Sequence, residues 1–307
     1  MEMQMEALNV RIRTLTPIWT GGIEGKCDRL HETGIIGSLR WWYEAIIRGL
    51  EGYACDPTDE GCKLDGTEKN DAERKKKICP VCYLFGCTGW QRKFRFEIRK
   101  DEDGSPGSLK LGKIIDDEKL WLCFLPLKQI DLIEKSLLIA TLRICSRYGA
   151  IGGKTTYKPS ENADKNGCIP HKDFGLFEIE SEMTNEKIPM KIIKSYLKNF
   201  NSKRNHPSWP DLRYFWFTSK TLNRLEINNI VGRTNKGDYL PKTAEWQKWL
   251  GGDKRDSKKI FSFYTKGGER TWGYFNKENY EKAKQELKNT ISSQIIWGEG
   301  VLNEFFS

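Results

Sequence analysis

The sequence contains no long apolar run. The longest, Leu120 to Leu127, has eight residues, includes Pro126 and is bounded by Lys119 and Lys128. A bilayer span needs roughly 20 apolar residues, so no transmembrane helix is expected. The opening Met1-Glu2-Met3-Gln4-Met5-Glu6 has no apolar stretch of the kind a secretory signal carries, and a soluble, cytoplasmic protein is expected. Histidine is scarce, with only His31, His171 and His206, so acid–base chemistry that relies on imidazole has three candidates. Short repeats and low-complexity tracts are absent as well. Wholesale disorder is excluded by a 38% hydrophobic content that includes 11 Trp, 11 Tyr and 14 Phe. At 307 residues the chain exceeds what one core usually organises, which predicts two domains.

Positive charge is in surplus. Lys and Arg number 51 against 42 acidic residues, giving +9, a balance suited to a polyanion such as nucleic acid. The excess is local: Glu68 to Lys100 holds ten basic and four acidic residues. Cysteine is clustered too. Of nine, Cys27, Cys123, Cys145 and Cys168 are scattered, whereas Cys55, Cys62, Cys79, Cys82 and Cys87 fall within 33 residues. An odd count in a reducing compartment argues against a disulfide framework. The spacing Cys55-x6-Cys62-x16-Cys79-x2-Cys82 instead supplies four soft ligands for a tetrahedral, structural Zn2+, with Pro80 pre-setting the tight turn and Cys87 left over. The surrounding segment is too polar to make its own core, so a metal would cross-link it. The competing reading is free thiols in a flexible insertion.

Periodicity predicts the order of elements. Ala7–Thr14 alternates as a half-buried strand, Ser38 caps a helix running to about Leu50, and Phe94–Arg99 and Leu120–Leu125 are strands. Leu127–Tyr148 is a long amphipathic helix and Phe174–Ile179 a fourth strand. This βαββαβ order is that of the ferredoxin-like, RRM-like unit, whose relatives read single-stranded RNA across the open sheet face. The fold class is therefore α+β: an N-terminal ferredoxin-like domain over 1–182 with a Cys-rich insertion at 53–91, and a second one over 183–307. In that second domain Ile188–Phe200 and Asn279–Ser292 read as helices, and Leu212–Thr218 and Ile295–Val301 as strands.

Two further segments point to phosphate. Gly149-Ala150-Ile151-Gly152-Gly153-Lys154-Thr155-Thr156 is not a P-loop, because Tyr148 stands where the first glycine belongs and no helix is expected to follow. Its glycines and Lys154 and Lys158 can still bring amides and charge to a nucleic-acid backbone, or simply end a helix. At the helix start, Gly37-Ser38-Leu39-Arg40-Trp41-Trp42 offers either a phosphate site with a stacking Trp41 or a plain salt ladder of Arg40, Glu44 and Arg48, with Trp42 in the core. The candidate RNA contacts are Arg29, His31, Ser38, Arg40, Trp41, Arg48, Arg92, Lys93, Arg95, Gly152, Gly153, Lys154 and Lys158.

Ile36-Gly37-Ser38-Leu39-Arg40 and Gly149-Ala150-Ile151-Gly152-Gly153-Lys154 together resemble the RAMP superfamily of CRISPR effector subunits. More narrowly, Gly34 to Glu44, Tyr53-Ala54-Cys55-Asp56-Pro57-Thr58 and Cys79 to Phe96, most specifically its Leu84-Phe85-Gly86-Cys87-Thr88-Gly89-Trp90, resemble the first subunit of the Cmr (type III-B) complex. The resemblance implies two ferredoxin-like domains and a non-catalytic place beside guide RNA, target RNA and other Cmr subunits, near the 3′ end of the guide. No membrane and no small-molecule substrate are implied. The rival from another class is a metal-independent RAMP endoribonuclease using His31; a zinc-stapled adaptor binding only protein is the third reading. RAMPs often continue the glycine-rich loop with Arg and Gly, whereas this chain runs Thr155-Thr156-Tyr157-Lys158-Pro159.

Overall fold

A computed structural model of the chain describes residues 6–22, 27, 29–59, 61–102, 118–153, 155, 173–181, 187–201, 210–253, 256–291 and 294–306. From β1 (Leu8–Thr14) the chain passes through α1 (Glu32–Gly49), two short helices α2 (Asp71–Lys77) and α3 (Pro80–Phe85), and strands β2 (Phe94–Arg99) and β3 (Lys119–Pro126). It continues into α4 (Leu132–Tyr148) and β4 (Phe177–Ile179). The strands form one antiparallel sheet in the order β2-β3-β1-β4. Alternation along them decides the faces. Val10, Ile12, Phe94, Phe96, Leu122 and Phe124 are buried toward the helices, while Arg11, Arg13, Arg95 and Arg99 occupy the other face.

The second half repeats the plan. After α5 (Met190–Leu197) and a 3-10 turn at Leu212–Tyr214 come β5 (Phe215–Thr218), α6 (Arg224–Ile230), α7 (Glu245–Gly251), β6 (Ile260–Phe263), β7 (Arg270–Tyr274), α8 (Lys277–Thr290), β8 (Ile296–Trp297) and α9 (Gly298–Phe306). The sheet order is β6-β7-β5-β8, again fully antiparallel. The protein is thus mixed α and β with two four-stranded antiparallel sheets.

Several boundaries differ from the sequence expectation. α1 begins at Glu32, so Ser38 lies in its second turn and caps nothing. Buried Ile35, Ile36 and Leu39 carry the helical spacing back through Gly34 and Gly37, whose low propensity would otherwise end it. The Thr20 hydroxyl accepts the His31 amide at 2.9 Å at that end. α4 begins at Leu132, because Asp131 and Glu134 close a reciprocal capping box. The expected strand Ile295–Val301 is two residues of β8, after which α9 takes over.

The halves share one core. The Trp41 ring lies 5.9 Å from Phe215, 6.1 Å from Trp272 and 5.7 Å from Tyr274. Arg270 of β7 donates to the Ser146 carbonyl at 2.5 Å, at the end of α4. Asp173 accepts from the Tyr264 and Thr265 amides at 2.6 and 2.8 Å.

Candidate functional sites: a cysteine centre and an aromatic cleft

Cys55, Cys62, Cys79 and Cys82 converge, with all four sulfurs within 4.8 Å of one another and all four residues buried. Local chemistry builds the turn. Cys79 caps α3, Pro80 takes its first position, and the Cys79 sulfur accepts the Cys82 amide at 3.4 Å. The Cys62 sulfur likewise accepts the Cys79 amide at 3.4 Å. A ZnS4 tetrahedron with bonds of about 2.3 Å has edges of about 3.8 Å. Cys55 lies 3.4 Å from Cys82 and 3.8 Å from Cys79, so the donor set fits such an ion. Hydrogen bonds from Cys62, Cys79 and Cys82 hold the Cys55 thiol well below its ordinary range, and the bonds to Cys55 push Cys62 and Cys82 up. Four sulfurs this close cannot all ionise without a cation among them. Cys87 stands outside the four, half-buried and bridged to Trp90.

Several candidate RNA contacts have structural tasks instead. Arg40 donates to Glu44 at 2.9 Å, to the Gly86 carbonyl at 2.9 Å and to the Cys82 sulfur at 3.2 Å. Burial opposes its charge, but Cys82 and Glu44 raise its pKa above the ordinary arginine range. It braces the cysteine centre, and the expected phosphate site at Gly37-Ser38 is replaced by mid-helix backbone. Arg48 is buried and donates to the carbonyls of Ala54, Cys55 and Pro210. Lys93 is buried too, bonded to both Glu134 oxygens at 2.9 and 2.8 Å with its ammonium 4.0 Å from the Tyr83 ring centre. Arg48 and Lys93 are thereby closed to a ligand in solvent, whereas Arg40 keeps 19% of its side chain exposed. Arg92 is half-buried and Arg29 pairs with Glu32 at 3.4 Å. His31 is the residue before α1, with no side-chain cap. Lys154 and Lys158, like His171 and His206, lie outside the described residues.

The open face of the first sheet does not look like a single-strand platform. Arg95 keeps 60% exposure but pairs with Glu97 at 2.7 Å, which also binds Arg99 at 2.6 Å. Arg11 pairs with Glu180 and Arg13 with Glu178, at 3.3 and 2.5 Å. Of the aromatic residues in these strands, Trp121 alternates onto this face, whereas Phe94, Phe96 and Phe124 alternate onto the buried one. RNA-binding sheets of this topology stack bases on several exposed rings.

The rings gather elsewhere. Between α1, the loop after α4 and the second sheet, a cavity of about 350 Å3 is lined by Trp19, Trp41, Trp42, Phe261 and Trp272, with Thr20, Gly21, Gly34, Ser38, Ala150, Gly152, Gly153 and Thr155. It brings together Ser38, Trp41, Gly152 and Gly153 from the candidate set. Trp19 was not legible as a site residue, and the glycines explain its place. The Gly153 amide donates to the Trp19 carbonyl at 2.7 Å. A Cβ at Gly152, where φ is +83°, would stand 2.6 Å from that same oxygen, and one at Gly153 would stand 2.6 Å from the indole. Gly152 and Gly153 thus leave room for the Trp19 segment to pack against the loop.

Residues 11–157 match the family model of the RAMP superfamily. The matched span runs from β1 through α4 into the glycine-rich loop, and so includes all four clustered cysteines and most of the cleft's lining. No curated protein matches the sequence. Among solved structures the chain is similar to apo Cmr1 from Pyrococcus furiosus, at 11% identity over 96% of this chain and 100% of that one, with a TM-score of 0.48. It is also similar to a chain of a type III-B Cmr-beta complex bound to cognate target RNA and AMPPnP, at 10% identity over 92% and 99%, with a TM-score of 0.43. Among the described residues, no helix is long and apolar enough to cross a membrane.

Proposed function

We propose that the protein is a non-catalytic RNA-binding subunit of a type III-B (Cmr) CRISPR effector in the cytoplasm. In this reading it holds guide and target RNA near the 3′ end of the guide, beside other Cmr subunits. Each half is read as a ferredoxin-like unit, since both strand orders are those of the split βαβ plan. The cysteine centre is read as a structural zinc site in an insertion between α1 and β2, with no open position for chemistry. The observation that carries the RNA reading is the cleft. Residues from α1 and from the loop after α4 meet there beside Phe261 and Trp272 of the second sheet, in a chain with +9 net charge whose residues 11–157 match the RAMP-superfamily model.

The test is binding of labelled single-stranded RNAs of unrelated sequence, without metal, over a salt series. Binding with intact RNA and similar affinity for all sequences is expected. Discrete cleavage products would favour the endoribonuclease reading with His31, and absence of binding at low salt would end the RNA reading. The same assay separates the cleft from the open sheet face. Arg11→Ala with Arg95→Ala should leave the log–log salt slope unchanged, because both guanidiniums already pair with glutamates. If that face contacts two phosphates, the slope should instead fall by about 1.4.

A further inference from the structure

Resting on the RNA-binding reading, we infer that the groove between α2 and the end of α5 is a track for the sugar-phosphate backbone of the bound RNA. The groove has a volume of about 640 Å3 and shares no lining residue with the cleft. The four basic residues of α2 divide by partner. Arg74 pairs with Asp71 at 2.8 Å, and Lys77 pairs with Glu68 and, at 3.5 Å, with Asp65. Lys75 and Lys76 have no acidic partner among the described residues, and these are the two that line the groove. The facing bank divides in the same way. Lys194 of α5 pairs with Glu51 at 2.8 Å, whereas Lys198, just past the helix, has no ion pair among the described residues and lines the groove. Because α2 has no buried residue, the core does not require its lysine run.

The two banks are tied together without any ligand. The Asn201 amide donates to the Lys75 carbonyl at 3.0 Å, and the Asn201 side chain donates to the Lys77 carbonyl at 3.3 Å. The Lys75 ammonium lies 5.2 Å from the ring centre of Tyr83, 4.9 Å from that of Tyr196 and 5.5 Å from that of Phe200. These contacts fix the ammonium in place while leaving its charge unneutralised. Like charges gathered in one concavity repel, and an anion lying among them removes that cost. The carboxylate in the lining, Asp71, is already bonded to Arg74. A folded protein partner needs an apolar anchor, and the groove's one ring, Phe200, is only 4% exposed. A run of phosphates needs only point charges and donors, which Lys76, Lys198 and the exposed Asn199 amide supply. Such contacts carry no sequence information, so the track holds any RNA strand.

Lys76 and Lys198 are both exposed, so Lys76→Gln with Lys198→Gln removes charge from the two banks without touching the core. Binding of single-stranded RNAs of unrelated sequence is measured over a salt series, beside the thermal midpoint. The double variant should keep the wild-type midpoint and lose about 1.4 from the log–log salt slope, about 0.7 for each phosphate contact. Its affinity should fall about 25-fold at 0.1 M salt and hardly at all at 1 M, for every sequence alike. Lys76→Gln alone should lose about half of that slope and serves if the double variant does not fold. The control is Lys282→Gln with Lys288→Gln, two exposed lysines of α8 whose loss changes net charge equally. The control should bind like wild type. An equal loss in control and groove variants would show that net charge alone acts, and would overturn the track. An unchanged slope in a folded groove variant would overturn it while leaving RNA binding intact. Loss of polyglutamate binding with unchanged RNA binding would make the occupant an acidic polypeptide and overturn RNA as the ligand of the groove. No RNA binding by wild type would overturn the RNA reading itself.

Discussion

Cys79→Ser should release the metal and unfold the segment between α1 and β2. Protein purified without added metal should hold about one zinc per chain, and the variant close to none. Cys79 supplies one of the four sulfurs, caps α3 and accepts the Cys82 amide, so its loss opens the tetrahedron and frays the turn together. Structural zinc contributes on the order of 10 kcal/mol to folding of small zinc domains, an upper guide here because α1 also packs on α3. Arg40→Ala belongs to the same experiment. Its contact with the Cys82 sulfur predicts weakened zinc retention against a chelator, with RNA affinity near wild type. Cys123→Ser should leave zinc in place, because Cys123 lies in β3, outside the four. Elemental analysis checks all three, and wild-type protein free of zinc would sink the assignment.

Trp42→Ala should destabilise the protein by about 3–5 kcal/mol, read as a lower chemical or thermal midpoint. Trp42 is 1% exposed and its indole donates to the Ala150 carbonyl at 3.1 Å. Its ring lies 5.0 Å from Trp272 and 5.7 Å from Phe215, so truncation opens a hole where both halves meet. Gly149→Ala should act from the other side, since a Cβ there would come within 2.3 Å of the Trp42 ring, with little room to yield. A Trp42→Ala protein as stable as wild type would show that this shared core does not hold the halves.

Much of the first half was legible because its strands alternate cleanly. Val10 and Ile12 against Arg11 and Arg13 are enough to place β1 and its faces. The four cysteines were legible from spacing, and the fifth, Cys87, meets Cys82 from outside their group. The roles of the basic residues were not. Arg40, Arg48 and Lys93 look alike in sequence to surface charges, and only their tertiary partners Cys82, Pro210 and Glu134 show that they serve the interior. Trp19 carried no periodic signal, and Phe261 and Trp272 lie over a hundred residues from α1, so the cleft they share is a product of topology alone. The second sheet was half legible because strands of two to five residues give periodicity little to work on.

The most direct test of RNA binding in the cleft is photocrosslinking. Single-stranded RNA with 4-thiouridine at successive positions is irradiated with the intact protein, and crosslinked peptides are sequenced. Crosslinks should concentrate on the peptides holding Trp19, Trp41 and Gly152–Gly153, and should be lost from them in Ser38→Phe. Crosslinks confined to the Arg11, Arg95 and Trp121 face, or no crosslinks at low salt, would contradict the account.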